Sequence, residues 1–597
     1  MREFRSQALA PLLGLWCGLL TGTIALIVQF GLLGIAHLTS PSPLGLEVGW
    51  LNAPLIDGAF FGGVGFMLYF AASRLRWLVS FRTVAFTLCF LVFVSLLFLI
   101  PGIAEYSVVL LAGGAAFQAS RAMTTHQAAL ARVCRLTLPW LLVMAIGSAT
   151  WNVGGPWVAE VTGRRALPAA STQAPNVLLI VLDTVRAQSL SAYGYEEPTT
   201  PWLERFAKNA VLFEHALSTS PWTLPAHGTL FTGRMPRELS TDWESALDGA
   251  YPTLAELFAA RGYVTGGFVA NYDYASTRTG LDRGFLRYDD HTGLKGVFGH
   301  TYDSRTRTSS SFGRIGTARM RRILDAWSRK DAPYLNREFL NWLAHHDERP
   351  AFAFLNYYDA HSPYSYPDSY DAKFRSKRTG ARGEDRLDAY EASIAFLDDQ
   401  LRDLFQQLDR PDALRNTVVI ITSDHGEQFG EHGVARHGNS LYRQVLEVPL
   451  LVAFPGVVPA GERVGEAVSL RDVAATVLDL AGIDSAEKMP GQSLRRYWAD
   501  RAVERREPLE PIFSEVSAAI RQPQWLNSNG PMVSVVENGL HYIKNFGRNK
   551  EEMYDFLNDP AETRNVIDAP GGQSRLPHFR SRIGPDAIAG ALQEVSR

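Results

Sequence analysis

Cysteine is nearly absent from this chain of 597 residues: there are three, Cys17, Cys89 and Cys134, and none after residue 134. Whatever folds beyond that point does so without a disulfide, and any metal site or covalent nucleophile there is built without a thiol. An excess of one charge is missing too. Lys and Arg number 58 against 61 Asp and Glu, for a net charge of −3. That leaves no global basic footprint of the kind nucleic acid would require. No internal repeat is evident.

What the chain does have is unevenly placed. Its 46% hydrophobic content concentrates before about residue 155. "LAPLLGLWCGLLTGTIALIVQFGLLGIAHL" exceeds the roughly 20 apolar residues needed to cross a bilayer and is too long for a signal-peptide core. Further apolar runs cover 51–75, 83–100, 104–117 and 136–151. The fourth of the five is short and glycine-rich, and also reads as a re-entrant or interfacial segment. Arg2 and Arg5 lie at the N-terminus, Arg74, Arg76 and Arg82 in the second loop, and Arg121, Arg132 and Arg135 in the fourth; the first and third loops carry no Lys or Arg. This alternation predicts about five spans, a cytoplasmic N-terminus and an extracytoplasmic remainder of a multi-pass membrane protein. Arg164 and Arg165, just past the last span, are exceptions to the pattern.

Residues 156–175 read as a linker, Pro/Ala/Ser-rich over Gly163–Pro175. Then comes "NVLLIVLD", an unbroken apolar run of the kind buried on both faces of a parallel sheet. Similar runs recur at Val264–Ala270, Ala351–Tyr357, Thr417–Asp424 and Val448–Phe454, with helical patterns between them, among them "TPWLERFAKNAVLF" and "DAYEASIAFLDDQLRDLFQQL". The alternation predicts a doubly wound α/β domain over 176–485. Arg283–Lys330 reads as a solvated helix or a surface insertion. Over 486–597 the pattern changes to short strands, with a hairpin at "ENG", predicting a small C-terminal α+β subdomain.

Ligands in open α/β sheets bind at the carboxyl ends of strands. Two strands here end in carboxylates, one at Asp183 and one at Asp424, the latter followed by His425. An Asp in such a place is commonly a cap or an Asx turn. Two of them with an imidazole favour one divalent metal ion, Mn²⁺, Zn²⁺ or Mg²⁺, and the histidine tilts the donor set against Ca²⁺. In "STSPWTLPAHGTLFTG", Thr223 precedes Pro225 where a helix begins. It reads as an N-cap, and equally as a hydroxyl placed where an anionic ester would dock.

These residues carry a resemblance. From Asn176 on, the pieces "NVLLIVLDTVRAQSLSAYGYEEPTTPWLERFAKNAVLFEHA", "SPWTLPAHGTLFTGRMP", "NYYDAHSPYSYP", "TVVIITSDHGEQFGEHG", "RHGNSLYRQVLEVPLLVAFPG" and "EEMYDFLNDPAETRN" resemble, in order, the sulfatase family of the alkaline phosphatase superfamily. The layout of several spans before such a domain is similar to the lipoteichoic acid synthases. The resemblance implies an alkaline-phosphatase-like fold and assigns Asp183, Asp424 and His425 to a metal, which Thr223 also touches as nucleophile. His361 and His437 would hold the substrate's charged oxygens or protonate the leaving group. Arg186 lies near the site in many relatives, and His227 stands where the family usually has an Arg.

Two departures change the expected chemistry. The family's nucleophile is a Cys or Ser oxidised to formylglycine, and threonine cannot yield that aldehyde, so none is expected. The family's paired Asp is Asp183-Thr184 here, so one ligand is missing. A Thr nucleophile with Asp and Asp-His ligands resembles the superfamily's phosphoryl-transfer members. The expectation is a hydrolase or transferase acting on a phosphate or sulfate ester through a covalent intermediate. The alternatives are a sulfatase working without formylglycine and a catalytically dead sensor or scaffold. The substrate would be an anionic ester, lipid-linked or part of an envelope polymer. Glu427, Glu431, His432 and His437 are further candidates for a second metal, with Glu427 and Glu431 otherwise read as solvated or structural.

Overall fold

The computed structural model describes residues 9–39, 53–74, 80–100, 103–171, 173–243, 245–290, 330–345, 349–374, 387–408, 414–484, 489–498, 510–519 and 522–584. The chain divides into two compact units, Met1–Thr162 with His291–Arg329, and Gly163–Asp290 with Lys330–Arg597. Most of the segment expected as a solvated helix, residues 291–329, lies outside the described residues.

Among the described residues of the N-terminal part there are five helices: α1 (Ala10–Thr39), α2 (Ala53–Arg74), α3 (Phe81–Phe98), α4 (Glu105–Thr125) and α5 (Gln127–Ala166). Four of them are long and apolar enough to cross a membrane, over Ala10–Val28, Ala53–Arg74, Phe81–Phe98 and Gln127–Trp151. Five spans are expected and four helices qualify among the described residues; α4, which carries the weak fourth run, does not. α1 and α2 pack through small residues. A Cβ at Gly18 would come within 2.1 Å of the Asp57 carbonyl oxygen, so the two backbones meet there only because the side chain is absent. α2 turns Phe60, Phe66, Met67 and Phe70 outward. α5 continues to Ala166, so the first part of the expected linker is helical and the non-helical link is correspondingly shorter.

The second unit is built on an eight-stranded sheet. Its strands are β1 (Asn176–Leu182), β2 (Val211–Leu217), β3 (Val264–Val269), β4 (Arg287–Asp289), β5 (Ala351–Tyr357) and β6 (Thr417–Thr422). After a two-stranded ribbon, β7 (Gln428–Phe429) with β8 (Ala435–Arg436), come β9 (Glu447–Ala453) and β10 (Glu462–Ser469). The order is β10-β2-β9-β6-β1-β5-β3-β4. β1 shows why the run "NVLLIVL" is apolar throughout: Val177, Leu179 and Val181 enter the core on one face, and Leu178, Ile180 and Leu182 the core on the other.

The sheet departs from the expected parallel one. β9 runs antiparallel to both β2 and β6. Apolar content reports burial on two faces, not direction, so "VPLLVAF" could not reveal this. β2 begins inside the stretch read as one helical pattern and runs beyond it. There the helix Pro201–Ala207 stops and "VLFEHAL" extends. Apolar residues four apart, Trp202 and Phe206, carry a helical period up to the strand and blur the change.

The C-terminal region has the expected antiparallel strands: β11 (Ile512–Val516), β12 (Met532–Glu537), β13 (Leu540–Asn545) and β14 (Lys550–Asp555), paired in that order. Asn538 and Gly539 turn the "ENG" hairpin with φ of 51° and 75°, the positive angles a two-residue type I′ turn demands. The helix Pro570–Arg582 packs Leu576 and Phe579 on Val535 and Tyr542.

Candidate functional site

β1 and β6 are parallel neighbours in register, Val181 opposite Thr422. Asp183 and Asp424 each follow two residues later, so the register alone sets two carboxylates side by side past the carboxyl ends of the central strands. Asp183 is fully buried, and its Oδ2 accepts from Asn271 Nδ2 at 2.8 Å and Asn356 Nδ2 at 3.4 Å. Asp424 Oδ1 accepts the backbone N–H of Thr184 at 3.1 Å and of His425 at 2.9 Å. Its Oδ2 is enclosed and, among the described residues, accepts no hydrogen bond. His425 donates Nδ1–H to the Gly426 carbonyl at 3.0 Å, which leaves the Nε2 lone pair facing inward.

Asp183, Asp424 and His425 offer ligand atoms that all lie within 4.8 Å of one another, as a metal site requires. A buried carboxylate oxygen without a donor is costly in an apolar interior, and a cation offsets that cost. The residues therefore fit a divalent ion. Thr184, the residue after Asp183, takes φ of 62° and donates its hydroxyl to the carbonyls of Asp183 at 2.7 Å and Ala360 at 3.1 Å. Its side chain is thus committed away from the cluster.

Electrostatics suit the same use. Burial lowers the His425 imidazole to about 4, with the Asp424 carboxylate opposing the shift and His437 adding to it. Burial also lowers His227, against Asp424. For Asp424 burial pulls upward, but His425, His227 and the two N–H groups outweigh it and the carboxyl lies below its usual range. At neutral pH this is an ionised carboxylate between neutral imidazoles, the forms in which these groups bind metal.

Thr223 opens the ten-residue helix Thr223–Thr232. The cap position belongs to Trp222, which makes no side-chain capping hydrogen bond. Thr223 is therefore not the N-cap, and its hydroxyl is not spent on the helix. Oγ1 lies 3.3 Å from His425 Nε2, at the positive end of the helix dipole. His227, one turn on, donates Nδ1–H to the Thr223 carbonyl at 2.8 Å, and its Nδ1 lies 3.6 Å from Asp424 Oδ2. It is completely buried beneath the helix start.

His437 and His361 form the far side. The His437 ring lies 4.6 Å from that of His425 and 5.1 Å from that of His361. Glu427, read from sequence as solvated or structural, is 2% exposed and holds His437 Nδ1 at 3.1 Å. His361 donates to the Ser362 carbonyl at 2.7 Å and stacks on Tyr358 at 4.3 Å. The Arg186 guanidinium is tied down on several sides: Glu431 Oε1 at 2.8 Å, the Glu427 carbonyl at 3.0 Å, Ser189 Oγ at 2.9 Å and the Phe429 ring at 5.0 Å. His432 stacks on Tyr442. Among the described residues the Asp183–Asp424–His425 group is the one metal-compatible cluster, and the four residues considered for a second ion do not form another.

Sequence reasoning missed Asn271, Asn356 and Trp222. Asn356 carried a signal, being the one amide inside the apolar strand "AFAFLNY". Asn271 carried a weaker one at the end of "VTGGFVA".

Residues 175–483 match the family model described as Sulfatase, and residues 430–584 match that of the C-terminal region of N-sulphoglucosamine sulphohydrolase. Choline-sulfatase of Rhizobium meliloti (strain 1021) is 25% identical over 467 residues, 69% of this chain and 86% of that protein. Arylsulfatase of Clostridium perfringens (strain 13 / Type A) is 23% identical over 466 residues, 68% of this chain and 93% of its own length. The solved phosphonate monoester hydrolase of Agrobacterium radiobacter superposes with a TM-score of 0.54 at 22% identity, covering 70% of this chain and 96% of that one. The likeness to that structure is one of fold.

Proposed function

The chain belongs to the sulfatase family, and from that premise we propose that this ester hydrolase uses Thr223 as a covalent nucleophile toward a phosphate or sulfate ester. The observation that carries the reading is the Thr223 hydroxyl, unspent by the helix it opens and 3.3 Å from His425 Nε2 in a cluster that fits a metal. A divalent ion held by Asp183, Asp424 and His425 would lower the pKa of the hydroxyl and offset charge on the transferred group.

The chain's own groups do the rest. The Thr223 hydroxyl loses its proton to solvent, and its oxygen bonds to phosphorus or sulfur as the bond to the leaving oxygen breaks. The first-turn N–H groups of Thr223–Thr232 face the transferred group's oxygens. His361 or His437 gives the leaving oxygen its proton. Water or an acceptor hydroxyl then displaces the threonine oxygen. Asn271 and Asn356 orient Asp183, and Glu427 orients His437. Arg186, held by Glu431, steadies the Glu427 carbonyl, and its part in substrate binding is through that support. His227 supports the helix start.

A phosphate ester is the first choice, because threonine has no route to formylglycine. A sulfate ester turned over without formylglycine is the second, favoured by the sulfatase names of the curated relatives. The intact cluster of buried ligands favours an active enzyme over a sensor or scaffold. The apolar helices would tether the domain outside the cytoplasmic membrane, near lipid-linked or polymeric anionic esters of the cell envelope.

The test is paired. Purified protein with Mn²⁺ or Zn²⁺ is given nitrophenyl phosphate and nitrophenyl sulfate, and quenched enzyme is searched by mass spectrometry for a modified Thr223. A phosphorylated Thr223 is the expected result. Turnover of the sulfate alone, with no phosphothreonine, supports the second reading, and no turnover of either the third.

A further inference from the structure

Thr184 holds a backbone conformation that threonine avoids. Its φ of 62° is left-handed, where a β-branched side chain crowds its own backbone. Such a residue persists only where its surroundings over-determine it, and the strain marks a place whose geometry is used. The use is visible here. The residue before Thr184 is Asp183, and the N–H of Thr184 itself is donated to Asp424 Oδ1 at 3.1 Å. One turn thus carries one candidate ligand and aims another.

The turn is held from two directions. Close by, the Val185 N–H is donated to the Leu182 carbonyl at 3.2 Å and to Ser423 Oγ at 3.0 Å. The other hold comes from 206 positions away. Tyr390, in the helix Leu387–Leu408, donates its hydroxyl to the Thr184 carbonyl at 2.8 Å, and the same oxygen accepts the Arg186 N–H at 2.9 Å. One phenol therefore takes up polar backbone groups on both sides of Val185. Tyr390 is fully buried, and a phenylalanine ring would fill the same space, so packing gives no reason for the hydroxyl. Its ring lies 4.9 Å from that of Phe429, the ring that the Arg186 guanidinium covers at 5.0 Å.

We infer that Tyr390 is a positioning residue of the candidate metal centre: its hydroxyl keeps Thr184 left-handed, and the turn so held aims Asp183 and Asp424 at one point. Tyr390 touches neither the ion nor the ester and acts through the turn. A turn braced in advance spares the ion the work of ordering its own ligands, which is what preorganisation contributes to affinity. Without the hydroxyl, a buried carbonyl and a buried N–H lose their shared partner. The turn then relaxes toward an ordinary φ, and the Thr184 N–H leaves Asp424 Oδ1. The inference rests on Asp183, Asp424 and His425 being the ligands.

The test is a titration of the metal-free, full-length protein with Mn²⁺, read by calorimetry. Tyr390→Phe is expected to weaken Mn²⁺ binding by about tenfold to a hundredfold. Glycine adopts a left-handed φ without a brace, so in a Thr184→Gly background the same loss of the hydroxyl should cost little affinity. At saturating Mn²⁺ the kcat of Tyr390→Phe should recover toward wild type, because the hydroxyl takes no part in the chemistry. A tyrosine that only steadied the fold would lower the melting temperature of the metal-free protein in both backgrounds and leave Mn²⁺ affinity per folded molecule unmoved. Wild-type affinity in Tyr390→Phe, or an equal loss with and without Thr184→Gly, overturns the inference. Should Tyr390→Phe fail to fold alone, the comparison of Thr184→Gly with the double variant decides, and a tenfold difference between those two overturns it. Absence of Mn²⁺ binding in the wild type overturns the metal site instead, so the two failures are separately visible.

Discussion

Thr223 Oγ1 and His425 Nε2 stand 3.3 Å apart although 202 positions separate them in the chain. One residue opens a helix after β2 and the other ends the turn after β6, so the contact exists only once the sheet has formed. If that hydroxyl attacks the ester, Thr223→Ala removes the covalent step while leaving the buried ligands in place. The expected loss in kcat is at least about 10³-fold. Thr223→Ser keeps the hydroxyl and should retain measurable turnover. Full activity in the Ala variant would end the assignment.

Metal removal is a separate matter. Asp183, Asp424 and His425 supply two carboxylates and one imidazole, all buried. Chelation should abolish turnover, and Mn²⁺, Zn²⁺ or Mg²⁺ should restore it. Asp424→Ala should lower metal content, read by elemental analysis, because the enclosed oxygen disappears. A ligand at a hundredfold its Kd stabilises the native state by about 2.7 kcal/mol, so the loaded protein should melt higher than the stripped one, and the variant should not respond to metal. An unchanged melting curve for the wild type on metal addition would count against the site.

Glu427 tests the positioning of His437. Its carboxylate is buried and 3.1 Å from Nδ1. Glu427→Gln keeps an acceptor oxygen, and Glu427→Ala does not. The expected order of kcat is wild type above Gln above Ala, with Ala down by about tenfold to a hundredfold. A merely structural carboxylate would lower the melting temperature of both variants and leave kcat per folded molecule unchanged.

Much of this site was legible from the residue types alone. Asp183, Asp424 and His425 follow apolar runs; one such Asp is commonly a cap or an Asx turn, but two at neighbouring strand ends with an imidazole point to a metal. Partners that act through space were harder to see. Asn271 and Glu427 become meaningful only when β3 and the segment after β6 come beside their targets, and nothing local to either residue signals that. The direction of β9 was invisible for the same reason, since burial on two faces writes the same pattern in parallel and antiparallel strands. Thr223 was misplaced as the cap by one position, because Pro225 marks the first turn and not its first residue.

A pH effect on stability is expected away from the site. Asp282, between β3 and β4, has its carboxyl raised to about 7, by burial first and then by the nearby Asp290 carboxylate, with Arg283 opposing. Its folded pKa is above the unfolded value of about 3.8. The stability this group contributes is complete below the unfolded pKa and is lost as pH rises through the folded one. Asp282→Asn removes the penalty of ionising a buried carboxyl. The variant should therefore melt higher than wild type at pH 8, with the difference shrinking or reversing at pH 5. A difference independent of pH would sink this account.

Whether the catalytic unit lies outside the membrane turns on α4. At 1.5 Å per residue its 21 residues span roughly 31 Å, enough for a hydrocarbon core of about 30 Å. Its composition is the weakest of the five helices, yet it shows lipid-like surface: Tyr106, Val109, Leu110, Leu111 and Phe117 point outward while Ala112, Ala116 and Ser120 are buried. If α4 crosses, five spans carry a cytoplasmic N-terminus to an extracytoplasmic domain; if it does not, four return the domain to the cytoplasm. A β-lactamase reporter fused after Arg597 should confer resistance in intact cells, and one fused within residues 75–79 should not. Resistance from the second fusion, or its absence from the first despite expression, would reverse the orientation and with it the access to envelope substrates.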